Sequence, residues 1–352
     1  MAEAKSKRSS SPLKRRLSLW ANKMAHSNIS VFVPHIGCPC KCSFCNQFSI
    51  TEQIFIPHEK DVDNAVEIAL NSQKYDPENG EIAFFGGSFT AINRDYMTEL
   101  LSAAKKHVDM GHAKGIRVST RPDCINNDVL QLLKAYGVTA IELGAQSMRD
   151  EVLKENNRGH SSDDVYTASE LIKEYGFELG LQMMTGLYTD NDEGAKFTAN
   201  EFVKINPKTV RIYPTIVLEN TELATLYKSG AYKPQSIDEA VELCAELLLL
   251  FEKNDIKVIR LGLHSIDMSK YVAGPWHPAF SELCENRIYR DIIKTHFGEK
   301  NDYTVYVAEG EMSKAVGQKK SNVLYFKDKG YNLKFEEDLS LSARNIRIKG
   351  SE

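Results

Sequence analysis

Four of the chain's seven cysteines fall within eight consecutive positions of the stretch GCPCKCSFCNQ, at Cys38, Cys40, Cys42 and Cys45. Thiols packed this densely serve as metal ligands or as redox pairs, and their spacing narrows the choice. A structural zinc site takes two separated pairs, and no second pair follows downstream. A redox CxxC is satisfied by Cys42 and Cys45 alone and leaves Cys38 without a purpose. An iron–sulfur cluster is the remaining soft-metal chemistry, since thiolates suit iron and cluster loops use short cysteine spacings. Cys38, Cys42 and Cys45 then form CxxxCxxC, three ligands, with Cys40 left over as a bystander thiol.

Cys124, Cys244 and Cys284 are scattered, and an odd count with one cluster is not a secreted disulfide framework. With 352 residues, 42% of them hydrophobic, the chain has material for one large or two unequal domains. No run approaches the roughly 18 uninterrupted apolar residues of a membrane span, and the N-terminus lacks the apolar core of a signal peptide. A cytoplasmic protein without a membrane partner is expected. The net charge of -4 hides an asymmetry: seven Lys or Arg against Glu3 give residues 1–23 a charge of +6, leaving -10 on the remainder. Such a basic, Ser-rich arm, expected to be flexible over residues 1–27, either binds phosphates or is an ordinary disordered terminus.

Short β-branched runs alternate with segments of helical period from residue 28 onward. The runs are ISVFVP, EIAFFGG, GIRVST, TAIELGAQS, FELGLQMM, KTVRIYP and IKVIRLGL. Helices are expected near 59–73, 94–110, 127–136, 162–175, 192–204, 221–229 and 236–253. This rhythm implies βαβ units, a parallel sheet and right-handed crossovers, an α/β fold of six or seven units over residues 28–270. After about residue 270 the rhythm stops. One helix and three short strands, YTVYVAEG, NVLYFKDKG and YNLKFEED, are expected in a small α+β extension over 271–352. In a barrel, functional groups sit on the loops after the strands. Here those loops carry the cysteines, GGSFT, TRPD, GAQS, MMTGL and YPT, which would converge on one mouth; as turn formers, such residues are also what ordinary βα loops contain.

Three thiolates on a [4Fe-4S] cube leave one iron open, and at this point the sequence resembles the radical S-adenosylmethionine (SAM) superfamily. The phrases PHIGCPCKCSFCNQ, GGSFTAI, TRPD, ELGAQS, NRGHSSDDV, LQMMTGL, RIYPTIVLENTEL and HPAF resemble more narrowly the radical SAM portion of the Elongator catalytic subunit and its short bacterial relatives. The resemblance covers roughly residues 30–285. It implies a partial (β/α)6 TIM-like radical SAM barrel and a [4Fe-4S] cluster on Cys38, Cys42 and Cys45. It also implies SAM bound at the open iron and cleaved to a 5′-deoxyadenosyl radical. A fourth thiolate from Cys40 would close that iron. The Elongator enzymes modify the wobble uridine of tRNA and use acetyl-CoA through a fused acetyltransferase-like domain; the resemblance does not extend to that domain, so no role for acetyl-CoA is carried over.

SAM contacts are then expected at Phe44, near the adenine, and at Gly86, Gly87 and Ser88, where absent side chains allow a close backbone approach. Ser88 departs from the acidic residue usual in the superfamily. Arg121 is expected on the SAM carboxylate, Gln146 and Ser147 on the ribose, and Met183, Met184 and Gly186 along the adenine. Arg211 and Tyr213 are expected on the substrate side, and His160 and His277 as structural histidines. The expected activity is a tRNA-modifying transferase reaction with reduced flavodoxin or ferredoxin as electron donor. A radical SAM enzyme for a small metabolite or peptide, and a non-catalytic iron–sulfur protein, remain as alternatives.

Overall fold

The computed structural model describes residues 27–33, 38, 41–45, 55–263, 266–297 and 302–350. The basic arm, except Ser27, and Cys40 lie outside the described residues. Twelve strands are described. They are β1 Ser27–Val33, β2 Gly80–Gly86, β3 Gly115–Thr120, β4 Val138–Gln146, β5 Glu178–Thr185, β6 Thr209–Pro214, β7 Val217–Leu218, β8 Lys257–Leu261, β9 Tyr271–Ala273, β10 Asp302–Val307, β11 Asn332–Glu337 and β12 Ile346–Gly350.

Strands β1 to β6 and then β8 lie side by side in that order, every neighbouring pair parallel. The sheet therefore has seven strands where the barrel resemblance implied six, because IKVIRLGL pairs with β6. Each strand alternates. Ile29, Val31, Val33, Ile82, Phe84, Ile116, Val118, Ile141, Leu143, Leu181, Met183, Val210 and Ile212 are buried in the main apolar core shared with the helices. The intervening residues face the other way, into a lumen, as period-2 geometry requires. Edge strands β1 and β8 do not pair with each other, yet both line one cavity, so the sheet curls into an incomplete barrel.

The crossover helices start where side-chain oxygens satisfy the first free N–H groups. Asn93, Asn126, Ser161, Asn191, Thr221 and Ser236 each accept from the following turn. Helices Glu59–Leu70, Arg94–Asp109, Asn127–Ala135, Ser162–Glu174, Asp192–Ile205, Glu222–Lys228 and Ile237–Lys253 follow the expected spans closely.

The C-terminal region differs from the expected three strands. NVLYFKDKG is helix Ser321–Asp328, its buried Asn322 and Phe326 four residues apart on one face. β12 supplies the strand that the sequence pattern missed, and the sheet order is β11-β10-β12. Helix Phe280–Lys294 gives Phe280, Cys284 and Ile288 to the barrel core and Tyr289 and Ile293 to a second, C-terminal core. One helix thus joins the two cores. Among the described residues no helix is long and apolar enough to cross a membrane.

Candidate active site

The cysteine loop leaves β1 at the end of the barrel where the βα loops gather, and buried hydrogen bonds fix it there. Cys45 N–H donates to the Cys42 carbonyl at 3.1 Å, closing a turn. Ser43, 1% exposed, staples that turn. Its N–H donates to the Asn156 carbonyl at 3.1 Å, its hydroxyl to Asn156 Oδ1 at 2.7 Å, and its carbonyl accepts from Leu223 N–H at 2.8 Å. Asn156 is fully buried and donates in turn to the carbonyls of Val152 and Tyr188 at 2.8 and 2.9 Å. Neither residue was singled out from the sequence; the available signal was the NNRGH phrase.

The loop after β2 touches the first cysteine. Burial pushes the Cys38 thiol up, and the Ser88 backbone N–H hydrogen-bonded to it pulls the other way. The Ser88 hydroxyl is buried against Thr120 Oγ1 at 2.8 Å and accepts from Arg121 N–H at 3.3 Å, so its side chain braces the loops rather than facing the lumen. Gly86 has φ +118°, and a Cβ there would lie 2.3 Å from the Val33 carbonyl oxygen, so only glycine fits. Cys124, scattered in sequence, is also brought to Ser88: burial raises its thiol, with the Ser88 side chain opposing.

The guanidinium in contact with Cys42 is that of Arg158, a residue to which the sequence assigns no role. It donates to Cys42 Sγ at 3.1 Å and to the Gly144 carbonyl at 2.5 Å, while its Nε is buried without a partner. Arg121, expected on the SAM carboxylate, has its fork on Asp123 at 2.8 Å through both Nε and Nη2. Nη2 also donates to the Arg158 carbonyl. Its direct structural role is to hold the Arg158 segment.

Below the loop lies a cavity of 840 Å³, within the size range of ligand pockets. Phe44, Cys45, Gly86, Gln146 and Met184 line it together with Arg211 and Tyr213. Gln146 has φ +67°, a strained value for a residue with a side chain, and its Oε1 is buried with no partner. Phe44 also packs beside Val217, Leu223 and Tyr232. Besides Ser88 and Arg121, three further expected contacts lie elsewhere. Met183 faces the helices, fully buried in the main core, because its neighbour Met184 takes the lumen side of β5. Ser147 is fully buried, and its oxygen accepts from Arg149 N–H at 3.1 Å. Gly186 borders a separate outer pocket and accepts from Tyr232 Oη at 2.7 Å.

The lumen floor is charged. Arg117 pairs with Glu81 at 2.7 Å, Glu178 at 2.8 Å and Glu142 at 3.4 Å. Arg211 grips Glu142 at 2.7 and 2.9 Å and lies 4.8 Å from the Phe85 ring centroid. Gln182 donates to Glu142 at 3.0 Å.

Family models match two stretches of the chain: Radical SAM superfamily over residues 32–202, and Radical SAM C-terminal domain over residues 207–290. The chain belongs to the radical SAM superfamily. Within that superfamily it is similar to a tRNA uridine(34) acetyltransferase of Methanocaldococcus infernus, 31% identical over 186 residues, 46% of this chain and 34% of that protein. Elongator complex protein 3 of Homo sapiens is 33% identical over 193 residues, 48% of this chain and 35% of that protein. The chain spans about a third of the length of these two curated relatives. The solved structure of the archaeal Methanocaldococcus infernus Elp3 with an N-terminal deletion superposes with a TM-score of 0.63 at 23% identity, covering 79% of this chain and 66% of that one, and shows the shared fold.

Radical SAM enzymes use a [4Fe-4S] cluster and SAM, and the residues of this chain fit both. Cys38, Cys42 and Cys45 are all half-exposed at the rim. Among the described residues no three Cys, His, Asp or Glu side chains converge on a single metal-ion position, and a cube asks for something else, one thiolate on each of three irons. Two N–H donors, from Ser88 and Arg158, already point at sulfurs. The unpartnered Gln146 oxygen and the closely packed Gly86 backbone face the cavity next to them.

His160 makes this enzyme's stability sensitive to acid. Its Nε2–H donates to the Ala145 carbonyl at 3.0 Å. Burial first, then the neighbouring Arg158 charge, pushes the imidazole down to about 4, so the folded state keeps it neutral. The unfolded chain binds that proton near pH 6.5 and so holds more protons between the two values. The stabilisation is present in full above about pH 6.5 and is lost as the pH falls towards 4. At pH 5 the loss is roughly 2 kcal/mol. Urea midpoints at pH 7 and pH 5 should converge in His160→Gln; an equal acid shift in wild type and variant would assign the sensitivity to other groups.

Proposed function

We propose that this radical SAM enzyme modifies a tRNA base, the wobble uridine. What carries the reading is a single cavity in which a cluster cysteine, Cys45, and a charged floor built on Arg211 and Tyr213 face the same space. The similarity to a tRNA uridine(34) acetyltransferase over the barrel supports the choice of substrate. Cys38, Cys42 and Cys45 would hold the cluster, which together with SAM would supply reductive cleavage of the sulfonium, with an electron from reduced flavodoxin or ferredoxin.

The chain's own groups order that chemistry. Arg158, with a spare buried Nε beside the thiols, pairs with the SAM carboxylate, and Arg121 acts through it by holding its backbone. Gln146 accepts from a ribose hydroxyl with its free oxygen. Phe44 and Met184 form the apolar edge for the adenine. Arg211, pinned on Glu142, and Tyr213 meet the base at the floor.

The test is mass spectrometry of tRNA nucleosides from a deletion strain and its complemented parent. A modified uridine that disappears on deletion and returns with the wild-type chain, but not with Cys42→Ala, is the expected result. Identical nucleoside profiles would turn the reading to a small metabolite or peptide, for which the same cavity is large enough.

A further inference from the structure

Past the barrel the chain builds a small unit whose surface chemistry the lumen does not use. β10, helix Met312–Val316, a tight turn, helix Ser321–Asp328 and β11 follow as strand, helix, helix, strand. β10 and β11 pair in parallel, and β12 lies antiparallel on the other side of β10. Val305, Val307, Ala315 and Phe326 form its core with Tyr289 and Ile293. Two helices joined by a G-x-x-G turn are the device by which KH modules clamp a run of about four backbone nucleotides. Here the turn reads Gly317, Gln318, Lys319, Lys320.

The turn is rigid and its lysines are held in an unusual conformation. Gly317 has φ +81°, and a Cβ there would lie 2.4 Å from Ser321 Oγ and 2.9 Å from Asn322 N. Lys319 and Lys320 have φ +52° and +62°, the left-handed region that side-chain-bearing residues avoid. Lys320 thus keeps a glycine-like backbone at the fourth position while adding a cation. Asn322, fully buried, pins the turn: it donates to the Asn286 and Ala315 carbonyls at 2.8 and 3.0 Å and accepts from Arg290 Nε at 2.9 Å.

Charge and aromatic surface gather beside this turn. Arg290, Lys329 and Lys294 lie 4.6, 5.0 and 5.1 Å from the Tyr325 ring centroid. Lys319, Lys320, Lys327 and Lys329 are exposed. Nearby Lys314 and Lys334 are paired with Glu311 and Glu336 at 2.8 and 2.6 Å; among the described residues the four exposed lysines have no such carboxylate. On a chain of net charge -4, two unpaired lysines on a fixed turn, with an aromatic ring flanked by Arg290, Lys329 and the Asp291-paired Lys294 on the helix that follows, match a polyanion that has flat bases.

We propose that the C-terminal unit is a clamp for single-stranded RNA, with backbone phosphates on Lys319 and Lys320 and the strand running past Tyr325. The clamp rests on the RNA reading above for the identity of the polyanion, but it places binding outside the barrel. Fluorescence anisotropy of the full-length protein with a labelled single-stranded RNA of about ten nucleotides tests it. Lys319→Glu/Lys320→Glu should weaken binding at least tenfold and lower the salt slope by about 1.4, from roughly 0.7 per phosphate contact on a single strand. Lys60→Glu/Lys253→Glu makes the same charge change on exposed barrel positions and should shift affinity less than twofold. Lys320→Gly, which suits the left-handed backbone, should keep the melting temperature while losing about half of that slope change. Wild-type affinity in Lys319→Glu/Lys320→Glu, or an equal loss in the barrel control, overturns the clamp. The nucleoside comparison separates the two readings. RNA binding that depends on the turn, with unchanged nucleosides, leaves the clamp standing and removes the modification reading. Altered nucleosides, with RNA binding indifferent to the turn, do the reverse.

Discussion

After anaerobic reconstitution, the wild-type chain should carry about four irons and four sulfides, and Cys38→Ala, Cys42→Ala and Cys45→Ala should each carry close to none. The argument is one of ligand count. Three thiolates already leave one iron without a protein ligand, and removing another leaves two protein ligands for a cube. Neither Cys244 nor Cys284 can substitute, since both are buried in the core, where burial pushes the Cys244 thiol up to about 12 and the Cys284 thiol further still. Cys124 shares a hydrogen-bonding residue, Ser88, with Cys38, so the double variant Cys38→Ala/Cys124→Ala belongs in the series as the check on a substitute ligand. Arg158→Met should keep its iron but weaken SAM binding and abolish 5′-deoxyadenosine formation, because it removes the spare donor beside the sulfurs and no ligand. Full iron in Cys42→Ala would falsify the assignment of the cluster to these three cysteines.

The parts that sequence made legible were those with a local cause. Three thiols on one short loop, glycines where a Cβ would strike a carbonyl, and helix starts at Asn, Ser or Thr can all be read from a few neighbouring letters. The parts that stayed hidden depend on faces and on distance. Met183 and Met184 are adjacent and chemically identical, and only the direction of the β5 pleat sends one into the core and the other into the lumen. A signal for that parity was present: Glu81, Arg117, Glu142, Gln182 and Arg211 stand at alternate positions among apolar neighbours, marking the lumen face of β2 to β6. Arg121 and Arg158 are 37 positions apart, and what brings them together is Asp123 taking the fork of the first, whose Nη2 then reaches the Arg158 carbonyl. NVLYFKDKG forms a helix against its strand-like letters: aromatic and β-branched residues favour strands, but the burial of Asn322 and Phe326 on one helical face decides the outcome.

The lumen network carries the largest stability effect expected of one substitution. Glu142 is 1% exposed and holds Arg211 through both carboxylate oxygens, with Arg117 and Gln182 on its remaining positions. Burial opposes the charge of Arg211, yet the adjacent carboxylate keeps its guanidinium above the usual range. With Glu142→Ala, Arg211 stays buried between Tyr213 and the Phe85 ring with no counter-charge, and Arg117 keeps only Glu81 and Glu178. A cost of about 3–5 kcal/mol is expected, most of it the price of an uncompensated buried charge. That origin makes a sharper forecast than the size alone. Arg211→Met in the Glu142→Leu background removes both charges, so the double variant should be more stable than Glu142→Leu by about 1–3 kcal/mol. Urea midpoints at matched slope measure both quantities. Were the second substitution to cost further stability instead, the network would hold by packing and hydrogen bonds, and charge pairing would not be what keeps the floor of the cavity in place.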